Sequence, residues 1–218
     1  MTNTKPGQAK LKPDAETLQG ENGYRKILEL DFSEMIPFVL SNIRKGGVIP
    51  LLYISINLIF FFFIIIYAVW IVKTGSLNAG KIFWQIFAGV LAGSILVIPP
   101  HEILHGLAYR LLGARKIKFG MDLQQFIFYV TADRFPISKK ELAILAMTPF
   151  VLINLGIIAL TATWGSQFTL FSASLLLCHN IMCIGDFAIT SYAFSQKGEL
   201  YTYDDTEIKK SYFFIREE

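Results

Sequence analysis

Hydrophobic and polar residues lie in long separate blocks along this chain. Residues 46–72, 82–100 and 142–185 contain no Asp, Glu, Lys or Arg. A helix needs roughly 20 apolar residues to cross the hydrocarbon core of a bilayer, and the third block is long enough for two such helices. The pattern therefore indicates a membrane protein, and it excludes a soluble globular domain, a secreted disulfide scaffold and a disordered chain.

The blocks predict four transmembrane helices, at residues 47–72, 83–113, 141–163 and 168–194. The second helix contains Pro99 and Pro100, which lack the amide hydrogen that a helix uses, so we expect it to break directly before His101. Non-helical backbone at membrane depth needs a lining of protein or a water-filled cavity, which predicts a polar cavity beside His101. Pro149 is expected to kink the third helix.

Polar segments flank and separate these helices. Residues 26–32 predict a weak strand, and residues 33–45 predict an interfacial helix with Ser33 as its N-cap. Residues 117–119 and 126–132 are rich in aromatic and β-branched side chains, which favours a β-hairpin over an irregular or re-entrant loop. The predicted fold class is an all-α membrane protein, with four transmembrane helices and a small cytoplasmic-side β-hairpin between helices 2 and 3.

Three regions follow from this pattern: a polar N-terminal segment at 1–46, a transmembrane domain at 47–194 and a C-terminal tail at 195–218. Lys and Arg concentrate in cytoplasmic loops, and 18 of the 20 fall on one side if both termini and the hairpin loop are cytoplasmic. We therefore expect a multi-pass protein of the cell membrane with its active site near the cytoplasmic face. The net charge is only +3, and no basic patch is interleaved with aromatic residues, so nucleic acid is not an expected partner.

The chemistry-bearing motif is His-Glu-Ile-Leu-His at residues 101–105. Four residues apart on a helix, His101 and His105 differ by about 40° in direction and about 6 Å in rise, so both imidazoles can reach one metal ion. Glu102 lies beside them and can act as a general base on water. Neutral imidazole and carboxylate ligands suit zinc. One zinc ion per chain is therefore predicted, against the alternative of a coincidental motif on a packed helix.

Asp186 is the predicted third zinc ligand. His101 lies 18 residues after Phe83, and Asp186 lies 18 residues after Phe168. On two helices that run in the same direction, both residues then lie about 27 Å from the outer end. An isolated acid in a membrane helix needs a cation or a hydrogen-bond partner, and neighbouring Ser, Thr or Asn side chains are the alternative to zinc.

Other polar residues of the apolar blocks are weaker candidates. His179 lies about 10.5 Å outward of Asp186 on the same helix face, so we expect it to support a ligand or to pack as a polar side chain, with zinc binding as the alternative. Asn154 can donate to a substrate carbonyl or an oxyanion, or it can join two helices by a hydrogen bond. Asn180 offers the same polar chemistry, and Cys183 is the weakest ligand candidate.

These motifs carry a resemblance to a known family. His101-Glu102-Ile103-Leu104-His105, Thr148-Pro149, Asn180 and Gly185-Asp186 resemble the site-2 protease family of intramembrane zinc metalloproteases. They are closer still to a bacterial zincin-peptidase domain family of unknown function. The resemblance covers about residues 83–194, and it implies three zinc ligands and a catalytic base, namely His101, His105, Asp186 and Glu102. Site-2 proteases carry Leu-Asp-Gly around the third ligand, whereas this chain has Gly185-Asp186-Phe187.

The function expected from the sequence is that of a membrane-embedded zinc metalloprotease. Its partners would be the lipid bilayer and a membrane-protein or peptide substrate, which the second hairpin strand could hold as an added strand. The candidate residues of that strand edge are Phe126, Phe128, Tyr129 and Val130, and the alternative is a hairpin that only anchors the loop. Two other functions are weighed: a silent adaptor with a zinc staple, which would not need Glu102, and a metal transporter, which would favour several ligand sets along a path.

Overall fold

The computed structural model describes residues 12–20, 23–122, 127–165 and 168–217. In chain order the elements are α1 (Ala15–Gln19), β1 (Tyr24–Asp31), α2 (Met35–Arg44), α3 (Val48–Thr74), α4 (Ala79–Leu91), α5 (Ile98–Leu111), β2 (Ile117–Asp122), β3 (Ile127–Ala132), β4 (Ile137–Ser138), α6 (Lys139–Trp164), α7 (Thr169–Met182), α8 (Ile184–Ser195), β5 (Leu200–Asp205) and β6 (Lys210–Arg216). A 3₁₀ turn (Phe32–Glu34) precedes α2, and a π-helical turn (Ala92–Leu96) joins α4 to α5.

The prediction of an all-α protein with four transmembrane helices is wrong. Strands make up 17% of the protein and form two antiparallel sheets. Among the described residues, three helical segments are individually long and apolar enough to cross a membrane: Val48–Thr74, Ala79–Leu96 and Lys139–Thr163. The last predicted helix is instead the pair α7 and α8, with a bend of 45° between them. The two helices are long and apolar enough to cross a membrane only when they are taken together. Hydropathy reveals apolar length, but it does not reveal short strands whose burial depends on distant partners.

A four-stranded antiparallel sheet joins the two ends of the described chain in the order β1-β6-β5-β4. The strand predicted at 26–32 is confirmed as β1, whereas the predicted C-terminal tail contains β5 and β6. On one face of the sheet, Leu200 and Phe213 pack in a core with Tyr109 of α5 and Leu142 of α6. The opposite face, which includes Tyr203, packs against α1. The sheet therefore lies against the end of α5 and the start of α6.

The predicted β-hairpin is confirmed. β2 and β3 pair antiparallel with Phe119 opposite Val130, and β2 extends beyond its predicted end to Asp122. Phe126, at the predicted start of the second strand, lies outside the described residues. The hairpin packs on α5 at Gly106, where an added Cβ atom would lie 3.4 Å from the Phe119 ring. The hairpin therefore packs directly on the helix that carries the His-Glu-Ile-Leu-His motif.

The helix predicted at 33–45 is α2, but Ser33 is not its N-cap. The Asp31 carboxylate accepts the backbone N–H of Ser33 at 2.9 Å and stabilises the 3₁₀ turn that leads into the helix. No side chain caps α2 itself. The helix packs against α8, where the rings of Phe38 and Tyr192 meet edge to face at 5.3 Å. Its side chains thereby come to lie over the region between α5 and α8.

The helix that was predicted to break before His101 breaks slightly earlier. The irregular backbone lies at the π-helical turn and Val97, and α5 then begins with Pro99 and Pro100 in its first turn. A proline in the first turn loses no helical hydrogen bond, because amides there have no partner within the helix. At the π-helical turn, a Cβ atom on Gly93 would lie only 2.6 Å from the carbonyl oxygen of Leu175, so this glycine is required for close packing on α7.

Candidate metal centre

Three side chains from two helices converge on one point. His101 and His105 lie on α5, and Asp186 lies in the first turn of α8. The two histidine Nε2 atoms are 3.1 Å apart. Asp186 Oδ1 lies 3.3 Å from Nε2 of His105, and its Oδ2 lies 3.4 Å from Nε2 of His101. Two ligands bound tetrahedrally to zinc at 2.0–2.1 Å are about 3.3–3.4 Å apart, so the three side chains have the spacing that one zinc ion requires.

The bend between α7 and α8 determines where Asp186 lies. The sequence predicted one helix over 168–194, on which depth alone placed Asp186 level with His101. In the structure, α7 ends at Met182 and α8 begins at Ile184, with the 45° bend between them. Asp186 therefore lies near a new helix N-terminus, where the helix dipole favours a negative charge. A break in the helix thus brings the acid to the two histidines.

A backbone carbonyl of α6 orients His105. The Nδ1 atom of His105 lies 3.1 Å from the carbonyl oxygen of Leu145. In an uninterrupted helix this oxygen would accept the amide of residue 149, but residue 149 is a proline inside α6 and has no amide hydrogen. When Nδ1–H donates to the Leu145 carbonyl, Nε2 of His105 is left to bind a metal. A hydrogen bond from the second ring nitrogen to a carbonyl is the usual way in which a protein orients a metal-ligating histidine.

His179 contacts the other nitrogen of His101. The Nδ1 atom of His101 lies 3.2 Å from Nε2 of His179, which is almost completely buried on α7. The Cys183 Sγ atom lies 3.6 Å from the same His179 nitrogen. His101, His179 and Cys183 therefore form a second group of donors close enough to share a metal. If Nε2 of His101 binds a metal together with His105 and Asp186, its Nδ1 remains available for a hydrogen bond with His179.

Glu102 has an unused carboxylate oxygen. It follows His101 on α5, and its Oε2 atom is buried without a hydrogen-bond partner in the described part of the protein. A buried polar atom without a partner costs about 1–3 kcal/mol of free energy, so such an atom calls for a specific explanation. Glu102 lines the same cavity as His101, His105 and Asp186.

This cavity has a volume of about 420 Å³ and extends well beyond the metal ligands. Side chains of α2, including Met35 and Val39, line it on one side, and residues of β3, β5 and β6 line it elsewhere. The sequence predicted a polar cavity beside His101 but assigned no part in it to α2 or to the C-terminal strands. A mainly apolar enclosure with a few converging polar groups is typical of a ligand-binding site.

The strand β3 presents its edge to this cavity. Phe128, Tyr129, Val130 and Thr131 all line it. Successive side chains of a strand point to opposite faces, so four consecutive residues can line one cavity only where the strand edge borders it. The other edge of β3 pairs with β2. The predicted substrate-binding residues Phe128, Tyr129 and Val130 therefore line the same cavity as the metal centre.

The two asparagines join helices. The side-chain amide of Asn154 donates to the Asn180 side-chain oxygen at 2.7 Å and to the Phe150 carbonyl at 2.8 Å. Both asparagines are buried, and neither belongs to the described lining of the cavity. With both of its N–H groups engaged, Asn154 links α6 to α7, which matches the helix–helix alternative considered from the sequence.

One cavity residue that the sequence did not reveal is Asp204. It lies on β5 directly opposite Ser211 of β6, whose hydroxyl donates to the Asp204 carboxylate at 2.6 Å. Burial raises the pKa of Asp204 to about 6. The signal in the sequence is faint, because an Asp among aromatic and polar residues near the end of a chain does not indicate an inward-facing strand position.

Residues 94–201 match a family model described as "Putative zincin peptidase". This stretch, just under half of the chain, is similar to zincin peptidases. It contains all three candidate ligands, Glu102 and the hairpin, and it ends within β5. The match supports a zinc metallopeptidase in general terms and does not distinguish a site-2 protease from other zincin-like proteins. No curated protein and no solved structure matches the chain.

Proposed function

We propose that this protein is a membrane-embedded zinc metallopeptidase that hydrolyses peptide bonds of membrane or membrane-proximal substrates. His101, His105 and Asp186 hold one zinc ion, and Glu102 is the catalytic base. The observation that carries the proposal is the convergence of two imidazole Nε2 atoms, 3.1 Å apart, on the two oxygens of the Asp186 carboxylate at 3.3 and 3.4 Å. Beside them, Glu102 has a carboxylate oxygen without a partner among the described residues.

The donor set suits zinc better than it suits a hard cation. Two imidazole nitrogens and one carboxylate are common ligands of catalytic zinc, which keeps a fourth position for water or substrate. Magnesium and calcium prefer an all-oxygen shell, which these side chains do not provide. When bound, zinc supplies Lewis acidity, which polarises a carbonyl group and makes water easier to deprotonate.

The protein's own side chains perform the proton transfers. Glu102 accepts a proton from the attacking water and later returns it to the amine that leaves when the peptide C–N bond breaks. His105 is oriented by its bond to Leu145, and His101 by its contact with His179. These contacts hold each Nε2 atom toward the centre, so the ligands do not have to reorganise when the substrate reacts.

The substrate is held in an extended form along β3. A peptide bond within a helix is poorly accessible, because its carbonyl is hydrogen-bonded and surrounded by side chains. The cavity-facing edge of Phe128–Thr131 offers backbone groups with which an extended segment can pair. Thr131 Oγ1 is buried without a hydrogen-bond partner in the described structure, which adds a polar group at this edge.

Three apolar helices and the charge pattern support a place in the cell membrane with both termini cytoplasmic. Topology reporters test this orientation: fusions after Gln196 and within residues 121–125 should report the cytoplasm, and a fusion within residues 76–79 should report the outside. A reporter in the hairpin loop that is read as external would place the chemistry on the opposite face of the membrane.

Neither alternative function explains the centre as well. A silent adaptor with a zinc staple has no use for the free Glu102 oxygen. A transporter needs successive metal sites along a path, whereas the two donor groups share His101 and lie in contact. They therefore do not form a route across the membrane.

The test uses the full-length protein purified in detergent. Wild-type protein should bind one zinc ion and hydrolyse a labelled unfolded polypeptide. Glu102→Gln should keep the zinc and lose about 10²-fold or more of the rate, as expected for removal of a general base, whereas His105→Ala should lose both zinc and activity. Hydrolysis at the normal rate by the Glu102→Gln protein would show that the proposed mechanism is wrong.

A further inference from the structure

We propose that Asp204 forms a cation-binding subsite of the cavity, which selects substrates carrying Lys or Arg close to the scissile peptide bond. The inference rests on the proposed peptidase function and adds to it a class of substrate. Asp204 and the residues of the metal centre line the same cavity, so a peptide bound beside Glu102 can extend to the Asp204 carboxylate.

The side chain of Asp204 lies on the inward face of its sheet. Leu200 and Thr202 lie at every second position before Asp204 on β5 and therefore share its face, and both are buried. Leu200 packs in the core with Tyr109, which lies one helical turn beyond His105 and also lines the cavity. Because alternate residues of a strand share a face, Asp204 continues the row that faces α5. An acid at such a position faces the binding cavity instead of bulk solvent.

Asp204 has no cationic partner among the described residues. Its carboxylate accepts a hydrogen bond from Ser211, and no ion pair with a described lysine or arginine is formed. The neighbouring Asp133, by contrast, pairs with Lys118 at 3.5 Å. Lys209 is the only Lys or Arg in the described lining of the cavity, and its side chain is exposed. An ionised carboxylate in an apolar enclosure is unfavourable until a cation or donor compensates it.

The strand geometry leads a bound peptide toward this acid. Asp133, the residue after β3, forms a parallel bridge with Asp204 of β5. An extended segment paired along the free edge of β3 therefore approaches Asp204 at one end. His105 and Tyr109 are about 6 Å apart along α5, and an extended chain rises about 3.3 Å per residue. The recognised cation thus lies about two residues from the bond that is cut.

The chemistry of membrane substrates agrees with this position. Cytoplasmic flanks of transmembrane helices are enriched in Lys and Arg, and the centre is proposed to lie near the cytoplasmic face. A substrate that enters from the bilayer would bring such a residue to the cavity together with its juxtamembrane segment. The ammonium or guanidinium group would then form a charge-assisted hydrogen bond with the Asp204 carboxylate.

The test measures peptide binding and hydrolysis separately. Synthetic peptides that differ only by Lys or norleucine at successive positions are bound to the zinc-loaded Glu102→Gln protein in detergent, and the same pairs are offered to the wild type for hydrolysis. Lysine at one or two positions should strengthen binding by about tenfold, as expected for one charge-assisted bond. The additional change Asp204→Asn, which keeps the side-chain shape, should abolish this preference.

The matched control is Asp205→Asn, which changes the adjacent acid on the opposite face of β5. It should leave both the zinc content and the lysine preference unchanged. An equal lysine preference with and without Asp204→Asn, or no binding of any lysine peptide, would overturn the subsite. A lysine preference in binding without hydrolysis by the wild type would contradict the peptidase function and still support the subsite.

Discussion

The carbonyl oxygen of Leu145 is free within its own helix because the residue four positions later is Pro149. The oxygen instead accepts the Nδ1–H of His105 at 3.1 Å. Pro149 is fully buried within α6. A proline that the sequence marks only as a kink therefore provides the acceptor that orients a candidate metal ligand.

Pro149→Ala should weaken zinc binding. The new alanine amide would compete with His105 for the Leu145 oxygen, and loss of such support commonly lowers metal affinity by about 10- to 100-fold. Competition with a chromogenic chelator measures the affinity, and the absorption spectrum of the cobalt-substituted protein reports the ligand geometry. Pro50→Ala is the control, because Pro50 lies in the first turn of α3 and frees no carbonyl of a preceding helical residue. Unchanged zinc affinity and an unchanged cobalt spectrum in Pro149→Ala would show that Pro149 has no positioning role.

Asp186→Ala should reduce zinc affinity more than His179→Ala does. Asp186 contacts the Nε2 atoms of both His101 and His105, whereas His179 contacts neither of these atoms and lies against Nδ1 of His101. Loss of a direct ligand removes a metal bond, and loss of an orienting group costs about 10- to 100-fold. Equilibrium dialysis of both variants gives the order. If His179→Ala had the larger effect, the centre would instead be formed by the group that includes Cys183.

Single proline substitutions along β3 should fall into two alternating classes. Amides of successive strand residues point to opposite edges, so one class loses a bond to β2 and the other loses a donor to the substrate. Within residues 127–130, proline at a position whose amide bonds to β2 should lower thermal stability. Proline at a position whose amide faces the substrate should lower the rate of hydrolysis and leave zinc content and thermal stability unchanged. Equal losses of activity at every position would favour a hairpin that only anchors the loop.

Asp204→Asn should stabilise the protein more at pH 7 than at pH 4. Burial raises the pKa of Asp204 to about 6 in the folded protein, whereas the unfolded side chain ionises near its ordinary value of about 3.9. Between these values the folded state binds the extra proton, so the stability of the wild type falls as the pH rises from about 4 to 6 and is constant above.

Thermal unfolding of the two metal-free proteins across this range isolates the contribution of Asp204, because every other titrating group is common to both. The difference in melting temperature should grow up to about pH 6 and then remain level. A difference that is independent of pH would show that the Asp204 carboxyl titrates in the folded protein as it does in the unfolded chain.

Helical periodicity and motif spacing were sufficient for the most local features of the centre. His101 and His105 share a face because four residues make little more than one helical turn, and they contact in the structure as expected. The hairpin was also predictable, since its two strands are adjacent in sequence and rich in residues that favour strands. Asp186 was predicted by comparing depth along two helices, but the 45° bend that presents it was not.

The sequence by itself determined the apolar segments, the two-histidine motif and the hairpin, because these depend on composition and on contacts within a few residues. Only the tertiary structure decided that the ends of the chain form one sheet, that Leu145 orients His105, and that Asp204 faces the same cavity as Glu102. These relationships join residues about 40 to 190 positions apart. Their free energy comes from burial and pairing between distant segments, which no local pattern records.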